Sequence, residues 1–136
     1  MIAYFDTSAF LKLLLPEHGR DAATAAWERA DSIVASTVIY PEARAATAAA
    51  VRHRRVKREV TVARLELLVG EMSFVEPSHD LLWHAGDLAE RHGLRGYDAV
   101  HLASALDVKE DLVVVAADMR LLNAARAERL RVLLPN

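Results

Sequence analysis

Residues 112–117 read LVVVAA, an unbroken apolar run that stops at Asp118. A strand that is covered on one face alternates between apolar and polar residues. A continuous run is typical of a strand covered on both faces of a parallel sheet. Short apolar segments elsewhere predict the other strands of this sheet: Ile2 to Phe5, Ile33 to Ala35, Phe74 to Val75 and Val132 to Leu134.

Segments with apolar residues at helical spacing separate these strands. The predicted helices run from Thr7 or Ser8, as the cap, to Leu15, from about His18 to Ala30, from Ser36 and Thr37 to about Glu59, from Thr61 to Met72, from Ser78 to His92, from Tyr97 to Val108, and from Asp118 to Leu130. Strands that alternate with helices imply a parallel sheet with helices on both faces. We therefore expect an α/β fold, a three-layer α/β/α sandwich with a short central parallel sheet, in one domain over residues 1–136.

Composition narrows the class of protein. With 136 residues, 53% hydrophobic and 26% charged, the sequence predicts one globular domain rather than a disordered chain. Its apolar runs are too short for a membrane span, and the first residues do not resemble a signal peptide. The absence of cysteine excludes disulfides, thiolate metal sites and cysteine nucleophiles, and it suits a cytoplasmic location. A net charge of -2 means that a polyanion would need a local basic patch or a bound cation.

Four acidic residues stand where a parallel sheet binds its ligands. Asp6 and Asp118 follow predicted strands directly, and such ligand sites lie beyond the carboxyl ends of strands. Glu42 and Asp98 each fall near the start of a predicted helix, so they can face the same edge. Clustered carboxylates repel one another unless a cation neutralises them, and oxygen ligands favour Mg²⁺ or Mn²⁺ over zinc. Taken singly, each acid could instead be a helix cap, a dipole partner or a surface residue.

A dense basic run, RHRRVKR, covers residues 52–58. It could be a solvated helix end or a surface for phosphate groups, and we hold both interpretations open. The candidate contacts to RNA or to a protein partner are the arginines of this run together with one near Glu42: Arg44, Arg52, Arg54 and Arg55. For Arg44 a salt bridge to an acid is an equal alternative.

Three other sets of residues have simpler interpretations. His101 lies in a core-like helical pattern, which predicts a packed or hydrogen-bonded side chain rather than a metal ligand. Trp27 and Trp83 are expected in the core or at an interface. Apolar surface on the helices predicts a symmetric dimer, with these residues available for contact: Trp27, Leu65, Leu68 and Val69.

The acidic segments also resemble a known family. FDTSA with Asp6, TVIYPEARAA with Glu42, LRGYDAVHLASAL with Asp98 and LVVVAADMRLLNAA with Asp118 are similar in order and spacing to the PIN domain, in particular to the VapC toxins of bacterial toxin-antitoxin pairs. The likeness covers essentially the whole chain, and GYDAVHLASA is its most specific part.

This resemblance implies a Mg²⁺- or Mn²⁺-dependent endoribonuclease that is usually a homodimer and is inhibited by a VapB-like antitoxin. It assigns Asp6, Glu42, Asp98 and Asp118 as the acidic quartet. We expect Asp6 and Asp98 to bind one metal ion, with Glu42 and Asp118 holding a second ion or orienting water. Many relatives have Thr or Ser two residues before the last acid, where this chain has Ala116, so the role of Asp118 is open.

Two other classes of protein fit part of the pattern. A strand that ends in Asp6 is also similar to the haloacid-dehalogenase phosphatases, but those need a second aspartate where this chain has Ser8, and a lysine near the last acids. The third possibility is a catalytically silent module that only binds a partner.

Overall fold

The computed structural model describes all residues, 1–136. Five strands alternate with seven helices in this order: β1 Ile2–Phe5, α1 Thr7–Leu14, α2 Arg20–Arg29, β2 Ser32–Ser36, α3 Ile39–Arg52, α4 Arg58–Val69, β3 Met72–Val75, α5 His79–His92, α6 Gly96–Asp107, β4 Leu112–Val115, α7 Met119–Ala127 and β5 Arg131–Leu133. All five predicted strands are present. No helix is both long enough and apolar enough to cross a membrane.

The strands form one parallel sheet in the order β3-β2-β1-β4-β5. The central strand is β1, in which Ala3 stands opposite Ile33 on one side and Val113 on the other. Every residue of β4 is buried, as its continuous apolar run predicts. This topology brings the ends of β1 and β4, and therefore Asp6 and Asp118, to the same edge of the sheet.

Two hydrophobic cores lie on opposite faces of the sheet. Tyr4, Val114 and other residues of one face pack against α5, α6 and α7. Phe5, Val115 and their neighbours on the other face pack against α1, α2, α3 and α4. Side chains alternate in direction along each strand, so a single strand contributes to both cores. The predicted three-layer α/β/α sandwich is confirmed.

The prediction of a single helix from Ser36 and Thr37 to about Glu59 is wrong, because α3 ends at Arg52 and α4 begins at Arg58. Arg54 has the left-handed φ of 56°, and the N–H of Arg55 donates to the carbonyl oxygen of Ala50. This is the hydrogen bond of a Schellman motif, which usually has glycine at the left-handed position. Arg129, with φ 68°, ends α7 in the same way. With arginine in place of glycine, the sequence carries no stop signal at either position.

Several apolar residues differ from their predicted exposure. Leu65 is fully buried, so it is not available to a partner subunit, whereas Trp27 packs edge-on against Phe5 and is partly buried. Leu68 and Val69 are partly buried against the same core. Trp83 lies outside the core, with 67% of its surface exposed and its ring stacked on His79.

Candidate active site

Asp6 is the most buried of the four predicted acids, at 2% exposure. Its backbone is extended, and its side chain accepts a 2.9 Å hydrogen bond from the N–H of Ala9, so Asp6 is the cap of α1 rather than Thr7 or Ser8. Burial raises the pKa of Asp6 to about 6, and the charge of Asp98 adds to that rise, while the hydrogen bonds from Ala9 and Ser8 oppose it. A carboxylate here is costly without a nearby cation.

Ser8 joins the ends of the two inner strands. Its hydroxyl lies 2.7 Å from both carboxylate oxygens of Asp6 and accepts a 2.8 Å hydrogen bond from the N–H of Ala117. Ala117 directly precedes Asp118. Ser8 therefore fixes the distance between the loop after β1 and the loop after β4, and it supplies a hydroxyl at an edge where Ala116 offers none.

Asp98 and Asp118 both form an ion pair with the guanidinium of Arg95. Asp98 lies in the first turn of α6, and Asp118 caps α7 by accepting from the N–H groups of Arg120 and Leu121. Arg95 Nε donates to Asp98 Oδ2 at 3.1 Å, and Arg95 Nη2 donates to Asp118 Oδ2 at 3.4 Å. Two acids from different helices are thus brought to one guanidinium.

Glu42 belongs to a hydrogen-bonded network that reaches into the core. Its Oε1 accepts from the Thr7 hydroxyl at 2.6 Å and lies 2.9 Å from His101 Nε2. The other ring nitrogen, Nδ1, is 2.9 Å from the Tyr4 hydroxyl, which also accepts from the N–H of Ser36. Every member is satisfied if Tyr4 donates to Nδ1 and the Nε2–H donates to Glu42. His101 is packed and hydrogen-bonded, as predicted, but one of its partners is a site acid.

This network sets the charge state of Glu42. Partial burial by itself would raise the pKa of the Glu42 carboxyl, but the hydrogen bonds from His101 and Thr7 outweigh it, and the pKa is lowered. Arg95 adds a smaller effect in the same direction. Glu42 is therefore held as a carboxylate at neutral pH, whereas Asp6 is close to its titration range.

We expect His101→Phe to destabilise the fold by about 2 kcal/mol, because it removes the acceptor of the buried Tyr4 hydroxyl and one of the two hydrogen bonds to the partly buried Glu42 carboxylate. Urea denaturation measures this change. His84→Phe is the matched control, since His84 is exposed on α5. If His101→Phe and His84→Phe lower the free energy of unfolding equally, the hydrogen-bonded network around His101 adds nothing to stability.

Glu42, Arg95 and Asp98 line one open pocket of about 700 Å³. Its other wall is apolar and comes from α5 and α6: Leu82, Ala85, Gly86, Ala89, Gly96, Tyr97, Ala99 and Val100. Tyr97, beside Asp98, is 61% exposed. The pocket can accept a molecule that presents a charged group to the polar end and a flat apolar group to the wall.

The structure thus places all four acids at the carboxyl edge of the sheet. It does not gather three or more metal-ligating side chains into one cluster. The donors present are carboxylate and hydroxyl oxygens, which are the ligands that Mg²⁺ and Mn²⁺ prefer, so their chemistry fits such an ion. The convergence of the quartet on a metal ion stays a prediction.

Sequence reasoning missed Arg95, and it did not assign site contacts to Thr7, Ser8 or Tyr4. A signal for Arg95 is present in LRGYD, where an arginine precedes Asp98 by three residues. Pairing at that spacing is common on helices, but the second contact, to Asp118, depends on the tertiary fold.

Of the predicted arginines, only Arg44 lies close to Glu42 along α3. Arg44 donates to the Tyr40 hydroxyl at 2.9 Å and forms no salt bridge to an acid. Arg52, Arg54 and Arg55 are exposed at the end of α3, without acidic partners. Arg52 is ten residues beyond Glu42, a distance of about 15 Å along a helix. The basic run is therefore separate from the acids but begins on the same helix as Glu42.

Comparison with known proteins identifies relatives along nearly the whole chain. Residues 3–127 match the family model described as the PIN domain. Two ribonucleases of Mycobacterium tuberculosis, VapC45 from strain CDC 1551 / Oshkosh and VapC49 from strain H37Rv, are each 45% identical over 135 residues, covering 96% of this chain and 94% of the relative. The likeness therefore extends over nearly the full length of both relatives.

A solved structure shares the fold. VapBC2 from Rickettsia felis, bound to a DNA fragment from its promoter, superposes with a TM-score of 0.71 at 16% identity, covering 100% of both chains. At that identity the likeness concerns the arrangement of strands and helices alone.

Proposed function

We propose that this chain, which belongs to the PIN domain family, is an endoribonuclease that hydrolyses RNA phosphodiester bonds with the help of Mg²⁺ or Mn²⁺. It would be the toxin of a type II toxin-antitoxin pair. The observations that carry the proposal are the buried Asp6 at the carboxyl edge of the sheet and the Arg95 guanidinium that holds both Asp98 and Asp118, with Glu42 linked to the same edge through Thr7. The ribonuclease activity of two relatives that are 45% identical supports the same reaction.

Asp6, Glu42, Asp98 and Asp118 would hold the metal ion or ions. A bound divalent ion supplies Lewis-acid chemistry, because it acidifies water and offsets the charge of the phosphate. Glu42, kept ionised by His101 and Thr7, can orient an attacking water by accepting a hydrogen bond from it. Attack by water rather than by the ribose hydroxyl leaves 5'-phosphate and 3'-hydroxyl ends.

A VapB-like antitoxin would be the protein partner, as in the VapBC complex that shares this fold. The open pocket beside the acids and the arginines at the end of α3 are two surfaces that such a partner could cover. A protein that cuts cellular RNA and is restrained by an antitoxin would act in the cytoplasm.

The proposal is tested by incubating the purified chain with total RNA in Mg²⁺ or Mn²⁺ and sequencing the new RNA ends. We expect a small set of cut sites with 5'-phosphate ends, and no cuts when EDTA is present. Expression in cells without the antitoxin would then identify the RNA that is cleaved. Cleavage that persists in EDTA, or ends with cyclic phosphates, would contradict the metal-dependent mechanism.

The two alternatives receive less support. In a phosphatase of the haloacid-dehalogenase type, a second aspartate would stand at Ser8, whose hydroxyl here holds Asp6 and Ala117 in place. No lysine pairs with Asp118, and its only cation is Arg95. In a partner-binding module without activity, a neutral residue such as Asn or Ser could cap α1 in place of Asp6 without the cost of a buried charge.

The basic run should contribute to RNA affinity through binding to phosphates. Replacement of Arg54 and Arg55 by Ala should weaken RNA binding and lower the slope of log affinity against log salt by roughly 0.7 for each phosphate that is no longer bound. Fluorescence anisotropy with a single-stranded RNA at several salt concentrations measures this slope. The matched control replaces Arg29 and Arg126, which are exposed on other helices. If the salt slope of the Arg54 and Arg55 variant is unchanged, residues 52–58 do not bind RNA phosphates and are only a solvated helix end.

We also propose that the chain forms a homodimer, through a different surface from the one predicted. Trp83 on α5 is a large apolar residue that remains exposed and does not line the pocket beside the acids. Sedimentation should show a dimer at micromolar concentration, and Trp83→Glu should shift it to monomer. Leu67→Glu, at an equally exposed apolar residue on α4, is the control. A monomeric wild-type protein would exclude the dimer. If Leu67→Glu dissociates the dimer and Trp83→Glu does not, the interface lies on α4 rather than on α5.

A further inference from the structure

Arg95 is the only cation that pairs with Asp98 or with Asp118. It precedes the first residue of α6, with extended backbone angles, and its side chain is 76% exposed against 16% for Asp98 and 22% for Asp118. The guanidinium reaches the acids from the solvent side. It can therefore leave them by rotation of its side chain, without a change in the helix.

The guanidinium contacts one carboxylate oxygen of each of two acids that would hold a metal ion. Its donors lie 3.1 Å from Asp98 Oδ2 and 3.4 Å from Asp118 Oδ2. A divalent ion bound to these oxygens would repel a guanidinium at that distance. Arg95 and the metal ion thus compete for two of the four acids.

We propose that Arg95 is an exchangeable counterion, which pairs with Asp98 and Asp118 in the metal-free protein and transfers to an RNA phosphate once a divalent ion holds these acids. This inference rests on the proposed function. A guanidinium binds phosphate oxygens through two parallel hydrogen bonds, and Arg95 lines the same pocket as Glu42 and Asp98. Its release therefore leaves it beside the position where the substrate would bind.

One consequence is coupling between the two ligands. An RNA phosphate that draws Arg95 away frees the acids for the metal ion, and the metal ion frees Arg95 for the phosphate. Since such coupling is reciprocal, each ligand should increase the affinity of the other. A metal site that is coupled in this way has a low affinity for the ion until RNA binds.

The first test measures Mn²⁺ binding to the metal-free protein by calorimetry. Arg95→Ala should bind Mn²⁺ about three- to tenfold more tightly than the wild type, because the competing charge is absent. Arg95→Lys should stay within about twofold, since it keeps the charge. Arg91→Ala is the matched control, as Arg91 is an exposed arginine that pairs with Glu128 instead. Unchanged or weaker Mn²⁺ binding in Arg95→Ala would overturn the proposal.

The second test measures RNA binding in saturating Mn²⁺ with a phosphorothioate RNA, which resists cleavage and leaves every acid of the site in place. Arg95→Ala should weaken the affinity for a single-stranded RNA about threefold and lower the salt slope by roughly 0.7. An unchanged affinity and slope would show that Arg95 does not transfer to a phosphate.

Failure of this inference can be distinguished from failure of the proposed function. If the wild type binds no Mn²⁺ and cuts no RNA, the nuclease assignment itself is wrong. If the wild type does both, and Arg95→Ala changes neither Mn²⁺ nor RNA affinity, the nuclease assignment stands and Arg95 is only a surface ion pair.

Discussion

Asp98→Asn should lower metal-dependent RNA cleavage by at least about a hundredfold, because it removes a negative ligand from the site that would hold the ion. Asp98 lies in the first turn of α6 beside Arg95 and lines the pocket next to the acids. The amide is nearly the same size as the carboxyl group, so the fold should be retained. Cleavage of a labelled single-stranded RNA in Mn²⁺ measures the effect.

The control for this experiment is Asp107→Asn, at the exposed last residue of the same helix. It changes the same charge at the far end of α6 and should leave cleavage within about twofold. Full activity in Asp98→Asn would exclude the proposed role for this acid. A variant that still binds a protein partner but cuts no RNA would separate the nuclease from a module that only binds.

Asp6→Asn should stabilise the metal-free protein at pH 8 by about 2 to 3 kcal/mol, while it abolishes cleavage. Burial raises the pKa of Asp6 to about 6 in the folded state, against 3.8 as its ordinary value. A raised carboxyl pKa means that ionisation opposes folding, so stability is lost as pH rises from about 4 to about 6 and stays lost above that range. The difference in pKa corresponds to about 3 kcal/mol. Asparagine can still cap α1.

Thermal melts of the metal-free protein at pH 5 and pH 8 test this effect. The melting temperature of Asp6→Asn should exceed that of the wild type by roughly 5 to 10 °C at pH 8, and by less at pH 5. Added Mg²⁺ should raise the melting temperature of the wild type more than that of the variant. Asp87→Asn, at an exposed acid of α5, is the control. Equal melting temperatures of Asp6→Asn and the wild type at both pH values would contradict a destabilising buried charge.

Local pattern predicts most of the architecture and the composition of the site. The apolar runs of β1 and β4 identify strands because a strand covered on both faces needs apolar side chains in both directions. Asp6 and Asp118 follow those strands, and the parallel arrangement then requires that they share an edge. Asp98 and Glu42 are predicted near helix starts, and the structure has them in first turns. Each of these inferences uses residues within one element or at its end.

Other features depend on contacts between distant segments. The Glu42–His101 hydrogen bond joins residues 59 positions apart, and the Arg95–Asp118 ion pair spans 23. No periodicity in either segment encodes such a pair. The ends of α3 and α7 escape prediction because Arg54 and Arg129 adopt left-handed angles that glycine usually signals. The apolar pattern around Trp83 predicts a place in the core or at an interface, and the structure excludes the core because α5 turns that side to solvent.

The sequence by itself therefore determined the order of strands and helices, the parallel sheet and the edge at which the acids stand, because hydrophobic burial follows local periodicity. Only the tertiary structure decided which side chains meet there. It placed a guanidinium on Asp98 and Asp118, a buried imidazole on Glu42 and a serine hydroxyl on Asp6. Charge and hydrogen bonding act over a few ångströms in space, and the fold, rather than proximity in the chain, brings these groups within that distance.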